Sequence, residues 1–191
     1  ADVLLEKSWP NAMKHVIADN SLEQCDAIAA RYDLKEWDSI IGLGGGRPLD
    51  VGKYIATQDG LPYVSIPTVP SHDGLASPVA VLKDKTGRSR SLGVQMPIGV
   101  LVDLDLLRQA PRQSILAGTG DMISNLSAIE DWLLAEADLG EPVDDYALII
   151  SSQSAQMVLR YLEKDAPVES DACLEVLVEG LILSGLALGI A

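Results

Sequence analysis

The chain has 191 residues, 48% hydrophobic and 22% charged, a globular composition that excludes a disordered tail. Its net charge of −14 argues against nucleic acid or an anionic membrane as a partner, while leaving room for a small anion bound at a helix N-terminus. Cys25 and Cys173, the only two cysteines, are too few for a disulfide framework or a structural zinc site.

The opening segment, Ala1 to Pro10, carries charges where a secretory leader needs an apolar run, so a cytoplasmic location is expected. Ser21 followed by Gln24 reads as a capping box that opens a helix to about Tyr32. Ser39 to Leu43 is a short apolar run ending in glycines and reads as a buried strand. Pro48 stands where a first helical position tolerates it, and DVGKYIAT continues a helix. Tyr63 to Ile66, closed by Pro67, is the next strand, and strand, helix and strand together predict a βαβ unit of a parallel sheet.

Val79 to Leu82 and the turn Asp84-Lys85-Thr86-Gly87 predict a hairpin, followed by an apolar run from Ile98 to Val102. From Arg112 the pattern is helical: Arg112 to Glu136, Asp144 to Leu162 and Ser170 to Ala191. The change near Pro111 divides the chain into an α/β part, residues 1–110, and an all-helical part, residues 111–191. The last stretch, VLVEGLILSGLALGIA from Val176, has Glu179 as its one charge. A membrane span needs ~20 apolar residues with suitable flanks, so a buried core helix is expected instead. Terminal segments usually reach solvent, so the native chain is expected to continue past Ala191.

Three stretches carry chemistry. Gly44-Gly45-Gly46-Arg47-Pro48-Leu49-Asp50 lies between a strand and a helix, where close backbone approach and unpaired N–H groups suit a pyrophosphate. By itself a triple glycine is as often a tight turn, and Arg47 occupies a position where G-x-G-x-x-G needs glycine. Pro67 to Ser77 follows a strand's carboxyl end, where open α/β sheets bind ligands. Thr68, Ser71 and Ser77 offer hydroxyls and Asp73 an acceptor, although Ser71 and Asp73 also suit local turn caps. His72 is either a proton carrier or an ordinary solvated loop histidine. In Gly118 to Asn125, helical spacing aligns Asp121, Ser124, Asn125 and Ala128 on one small polar face, which predicts a wet cleft. The two glycines there, Gly118 and Gly120, suggest close approach to another backbone or a ligand; the alternative is a helix end capped by Asp121.

Taken together, GGGRPLDVGK, IPTVPSHDGLASP, PIGVLVDLDLL, AGTGDMISNLSAIEDW and SGLALGIA resemble the sn-glycerol-1-phosphate dehydrogenase family, from about Ser39 onward. That family lies in the superfamily of iron-type alcohol dehydrogenases, glycerol dehydrogenase and dehydroquinate synthase. The resemblance implies a Rossmann-like nucleotide-binding domain followed by a helical domain, both truncated, and reduction of dihydroxyacetone phosphate by NADH or NADPH. It implies that Gly44, Gly45, Gly46, Arg47, Pro48, Leu49 and Asp50 form the cofactor turn, with Gly46 to Asp50 at the phosphates. Thr68, Ser71 and Ser77 would line the nicotinamide side. Asp73 would bind the phosphorylated substrate. Asp121 would be a catalytic residue, both a substrate contact and the sole carboxylate ligand of one divalent metal, usually zinc.

The family's metal site also needs two histidines that match neither His15 nor His72, so the segment alone is expected to be inactive and to expose core surface. Glycerol dehydrogenase, a metal-dependent synthase, and a non-catalytic nucleotide-binding truncation are the competing readings. The apolar final helix suggests burial against something, with a homo-oligomer among the options.

Overall fold

The computed structural model describes residues 11–163 and 167–191; segment 1–10, which carries the argument against a leader, lies outside them. Helix α1 (Leu22–Arg31) starts as expected, with Ser21 Oγ accepting the Gln24 N–H at 3.3 Å. The reciprocal half of the capping box is not made, because Gln24 Oε1 accepts the Asp19 N–H instead, at 3.1 Å. Strand β1 (Ile40–Gly44), helix α2 (Gly46–Asp59) and strand β2 (Tyr63–Pro67) form the βαβ unit, parallel from Ile40 opposite Tyr63 to Gly44 opposite Pro67. Pro48 is the third helical residue, not the first. It is tolerated there because N–H groups of the first turn have no intrahelical acceptor.

Strands β3 (Val79–Lys83) and β4 (Ser89–Gly93) make an antiparallel hairpin. Asp84 Oδ1 ties its turn by accepting the N–H groups of Thr86 and Arg88 at 2.8 and 3.1 Å. Of the apolar run 98–102, only β5 (Gly99–Val100) pairs, parallel to β2, so the described sheet has the order β1-β2-β5. A short helix α3 (Leu104–Leu107) leads into α4 (Arg112–Leu139), α5 (Asp145–Leu162) and α6 (Asp171–Ile190). Asp144 and Ser170 cap the last two through their side-chain oxygens.

Two cores meet at α2. Val51 and Ile55 pack with Cys25 and Ile28 of α1 and with Ala80 and Leu82 of β3. Leu49 joins a larger cluster that runs through Leu75 and Leu107 to Met122, Val158, Leu174, Leu177 and Leu181. Leu174, Leu177 and Leu181 recur at helical spacing, and burying each contributes about 1.5–3 kcal/mol. Helix α6 is long and apolar enough to cross a membrane, and half of that stretch is buried within the fold. Helix α4 buries Ile115 and Met122 in its first half, whereas Leu134 and Leu139 in its second half are exposed.

Candidate active site

The glycine turn ends β1 and starts α2. Gly44 has φ 142°, which glycine adopts readily, and a Cβ there would stand 2.5 Å from Pro48 Cγ. Gly45 is the helix N-cap, and its own carbonyl accepts the Leu49 N–H at 3.3 Å. Pro48 has no N–H, so those of Gly46 and Arg47 are left without intrahelical partners at the positive end of a 14-residue helix. That is a fitting place for a phosphate. The Arg47 guanidinium turns back to the Ala18 carbonyl at 3.4 Å.

Sequence reasoning put Leu49, Asp50 and Ser77 with the cofactor. The structure turns all three side chains inward. Leu49 is core, Asp50 is 6% exposed and Ser77 1%. Asp50 Oδ2 accepts the Val81 N–H at 3.2 Å, and its other oxygen lies 3.5 Å from Lys53 Nζ. Lys53 is fully buried and donates to the carbonyls of Gly74 at 2.6 Å, Ser77 at 3.2 Å and Val79. Burial pushes the Asp50 carboxyl above and the Lys53 ammonium below their ordinary values, and each charge partly offsets the shift of the other. The pair stitches the 73–79 turn to α2.

Helices α4 and α6 also approach the loop 67–79 closely. A Cβ on Gly118 of α4 would stand 2.0 Å from the Pro70 carbonyl oxygen, and one on Gly185 of α6 2.6 Å from the Ser77 nitrogen. Gly118 therefore serves the close approach expected of it. Gly120 does not: nothing lies within 4 Å of a Cβ there. Gly120→Ala is expected to stabilise the chain by about 0.5–1 kcal/mol through helix propensity alone, read from the urea unfolding midpoint.

These clamps bring Asp73 and Asp121 together. Asp121 lies within α4, which excludes its reading as a helix cap, and its Oδ2 accepts the Asp73 N–H at 2.9 Å. Ser184 Oγ donates to Asp73 Oδ2 at 2.8 Å and accepts from Asn125 Nδ2 at 2.8 Å. Burial raises the Asp121 carboxyl above its ordinary value; the Asp73 N–H opposes this and the Asp73 charge adds to it. Asp73, Asn125, Ala128, Trp132 and Ser184 line a cleft of about 310 Å³ between α4, α5 and α6. Asn125 and Ala128 thus face a cleft as their spacing predicted. Asp121 and Ser124, predicted on the same face, are not part of that lining; the Ser124 hydroxyl donates to the Asp121 carbonyl at 2.7 Å. Thr68 and Ser71 are half-buried in the loop between β2 and Asp73, and Thr68 N–H donates to the Gly44 carbonyl at 2.9 Å.

Sequence reasoning missed Lys53 and Ser184 as site-building residues. The i, i+3 spacing of Asp50 and Lys53 was a visible signal for the first; Ser184, in an apolar helix, gave none. A catalytic zinc takes at least three protein ligands, and among the described residues no three His, Cys, Asp or Glu converge. The donors of the described chain, Asp121 foremost, do not make a metal site by themselves.

The model of the iron-containing alcohol dehydrogenase family matches residues 5–111. Over 175 residues the chain is 40% identical to a curated glycerol-1-phosphate dehydrogenase (NAD(P)+) of Thermofilum pendens, covering 91% of this chain and 49% of that protein. The Sulfurisphaera tokodaii enzyme of the same name is 42% identical over 174 residues, covering 90% and 48%. Among solved structures, glycerol dehydrogenase from Schizosaccharomyces pombe superposes with a TM-score of 0.76 at 24% identity, over 89% of this chain and 45% of that one. Maleylacetate reductase from Rhizobium sp. strain MTP-10005 gives 0.74 at 19% identity, over 98% and 53%. The structural likenesses show the fold. The chain spans about half the length of the curated relatives it matches.

Proposed function

The chain belongs to the iron-containing alcohol dehydrogenase family, and from that premise we propose that it is part of a cytoplasmic, NAD(P)H-dependent glycerol-1-phosphate dehydrogenase, which reduces dihydroxyacetone phosphate to sn-glycerol 1-phosphate. The observation that carries this reading is the 40% identity to a relative of that name across 91% of the chain. The Gly46 and Arg47 N–H groups hold the cofactor's phosphates at the start of α2, and Thr68 and Ser71 line its nicotinamide side. When bound, the reduced nicotinamide supplies a hydride for the substrate carbonyl. Asp73, oriented by Ser184, accepts a hydrogen bond from a substrate hydroxyl. Asp121, oriented by the Asp73 N–H, contacts the same substrate and is the carboxylate suited to join a divalent cation's ligand set. Asp73 and Ser184 line the three-helix cleft, where the apolar Ala128, Ile129, Trp132 and Leu148 reduce the water around this pair and strengthen its polar contacts.

The test is steady-state oxidation of NADH and NADPH by the protein expressed from its own gene. Dihydroxyacetone phosphate is expected to give a kcat/KM at least about 100-fold above that of dihydroxyacetone, as a site built for a charged group rejects the analogue lacking it. Preference for unphosphorylated dihydroxyacetone would favour glycerol dehydrogenase instead. Cofactor binding with no oxidation for either substrate would favour a nucleotide-binding module.

A further inference from the structure

The roles assigned above leave His72 unused, yet its imidazole occupies a built slot between two glycines. A Cβ on Gly46 would stand 2.8 Å from Nε2, and one on Gly74 2.5 Å from both Nδ1 and Cε1. Neither residue could carry a side chain without moving the ring. Nδ1 accepts the Gly74 N–H at 3.0 Å. A ring nitrogen that accepts carries no proton, so the neutral imidazole bears its hydrogen on Nε2. That second nitrogen makes no hydrogen bond with the described residues. It lies beside the first residue of α2, where the Gly46 and Arg47 N–H groups are also without intrahelical partners.

We infer that His72 donates from Nε2 to a phosphate oxygen held at the start of α2. Through Nδ1 the same ring ties that phosphate to the turn Asp73–Leu75, whose first residue is the proposed substrate-binding aspartate. His72 is then a positioning residue: phosphate binding at one nitrogen braces the turn at the other. The inference rests on the dehydrogenase reading, which puts the cofactor's phosphates at the start of α2; a substrate phosphate at the same place is the alternative that the test separates.

Two substitutions separate the nitrogens. In His72→Asn the amide oxygen sits near Nδ1 and keeps the Gly74 bond, but the Nε2 donor is gone. In His72→Gln the longer amide reaches toward the Nε2 position with an N–H. His72→Asn is expected to raise the KM of the phosphate-bearing ligand by about 10-fold with kcat little changed, and His72→Gln to recover most of that loss. A rise confined to NAD(P)H assigns the phosphate to the cofactor; one confined to dihydroxyacetone phosphate assigns it to the substrate. Unchanged KM values for both in His72→Asn, or equal losses in the two variants, overturn the inference.

A measurement on the unsubstituted protein removes dependence on the variants' folding. With 15N-labelled histidine, the Nε2 resonance of His72 is expected to shift on titration with inorganic pyrophosphate. If that shift occurs while the protein oxidises neither NADH nor NADPH, the dehydrogenase reading falls and the phosphate contact stands. If the protein is an active dehydrogenase and the resonance stays still with NAD(P)H, dihydroxyacetone phosphate and pyrophosphate alike, the inference alone falls.

Discussion

Lys53→Met is expected to destabilise the chain by about 3–5 kcal/mol, the range for removing one partner of a buried ion pair. The ammonium is fully buried and serves the carbonyls of Gly74, Ser77 and Val79, so methionine leaves three acceptors unpaired in a site closed to water. It also leaves Asp50, 6% exposed, with the Val81 N–H but no cation. For a chain of this size the melting temperature should drop by about 6–20 °C. Pairing the change with Asp50→Asn tests the cause, since neutralising the stranded carboxylate should return part of the loss in a double-mutant cycle. A loss under about 1 kcal/mol would mean that Lys53 is not the cation holding the 73–79 turn.

Gly118→Ala should act on both stability and activity. The new methyl would sit 2.0 Å from the Pro70 carbonyl oxygen, with the Pro70 carbonyl carbon at 3.0 Å and Leu181 Cδ1 at 3.3 Å. Backbone is the nearest neighbour, so α4 and the loop must separate; overpacking of this kind costs about 1–3 kcal/mol or more. The loop that moves carries Asp73, and the helix that moves carries Asp121. A displacement near 1 Å between such groups is expected to lower kcat/KM by about 100-fold. Gly120→Ala is the matched control, being the same replacement two residues along the same helix with nothing near the added methyl. If the two variants behave alike in melting and in dihydroxyacetone phosphate reduction, the close approach at Pro70 is not what Gly118 provides.

Much of the fold was legible because its signals are local. The βαβ unit, the hairpin and the three long helices each follow from apolar spacing and capping residues within a few positions of one another. Where local reading slipped, a neighbour from outside the pattern had intervened. Gln24 caps Asp19 instead of closing the box on Ser21. The run 98–102 pairs only at Gly99 and Val100, where β2 offers a parallel edge. Pro48 moved from the first helical position to the third because Gly45 took the N-cap.

The proposed site divides along the same line. Residue type and spacing alone were enough to mark the glycine turn, the SHDG stretch and the polar face of α4, because each is a continuous segment whose chemistry departs from a packing pattern. They were not enough to say which way the side chains point. Leu49 and Asp50 read as part of a cofactor turn, but α2 is buried on both sides, so they became core and ion pair. Lys53 became a site-building residue only because the chain returns the Gly74, Ser77 and Val79 carbonyls to it from 21, 24 and 26 residues away. Ser184 became one only because Asp73, 111 positions earlier, meets its hydroxyl. Backbone periodicity is a property of neighbours in sequence, so the sequence alone determined the elements and the three chemical stretches. The partner of a buried polar group is a property of neighbours in space, and only the tertiary structure decided those.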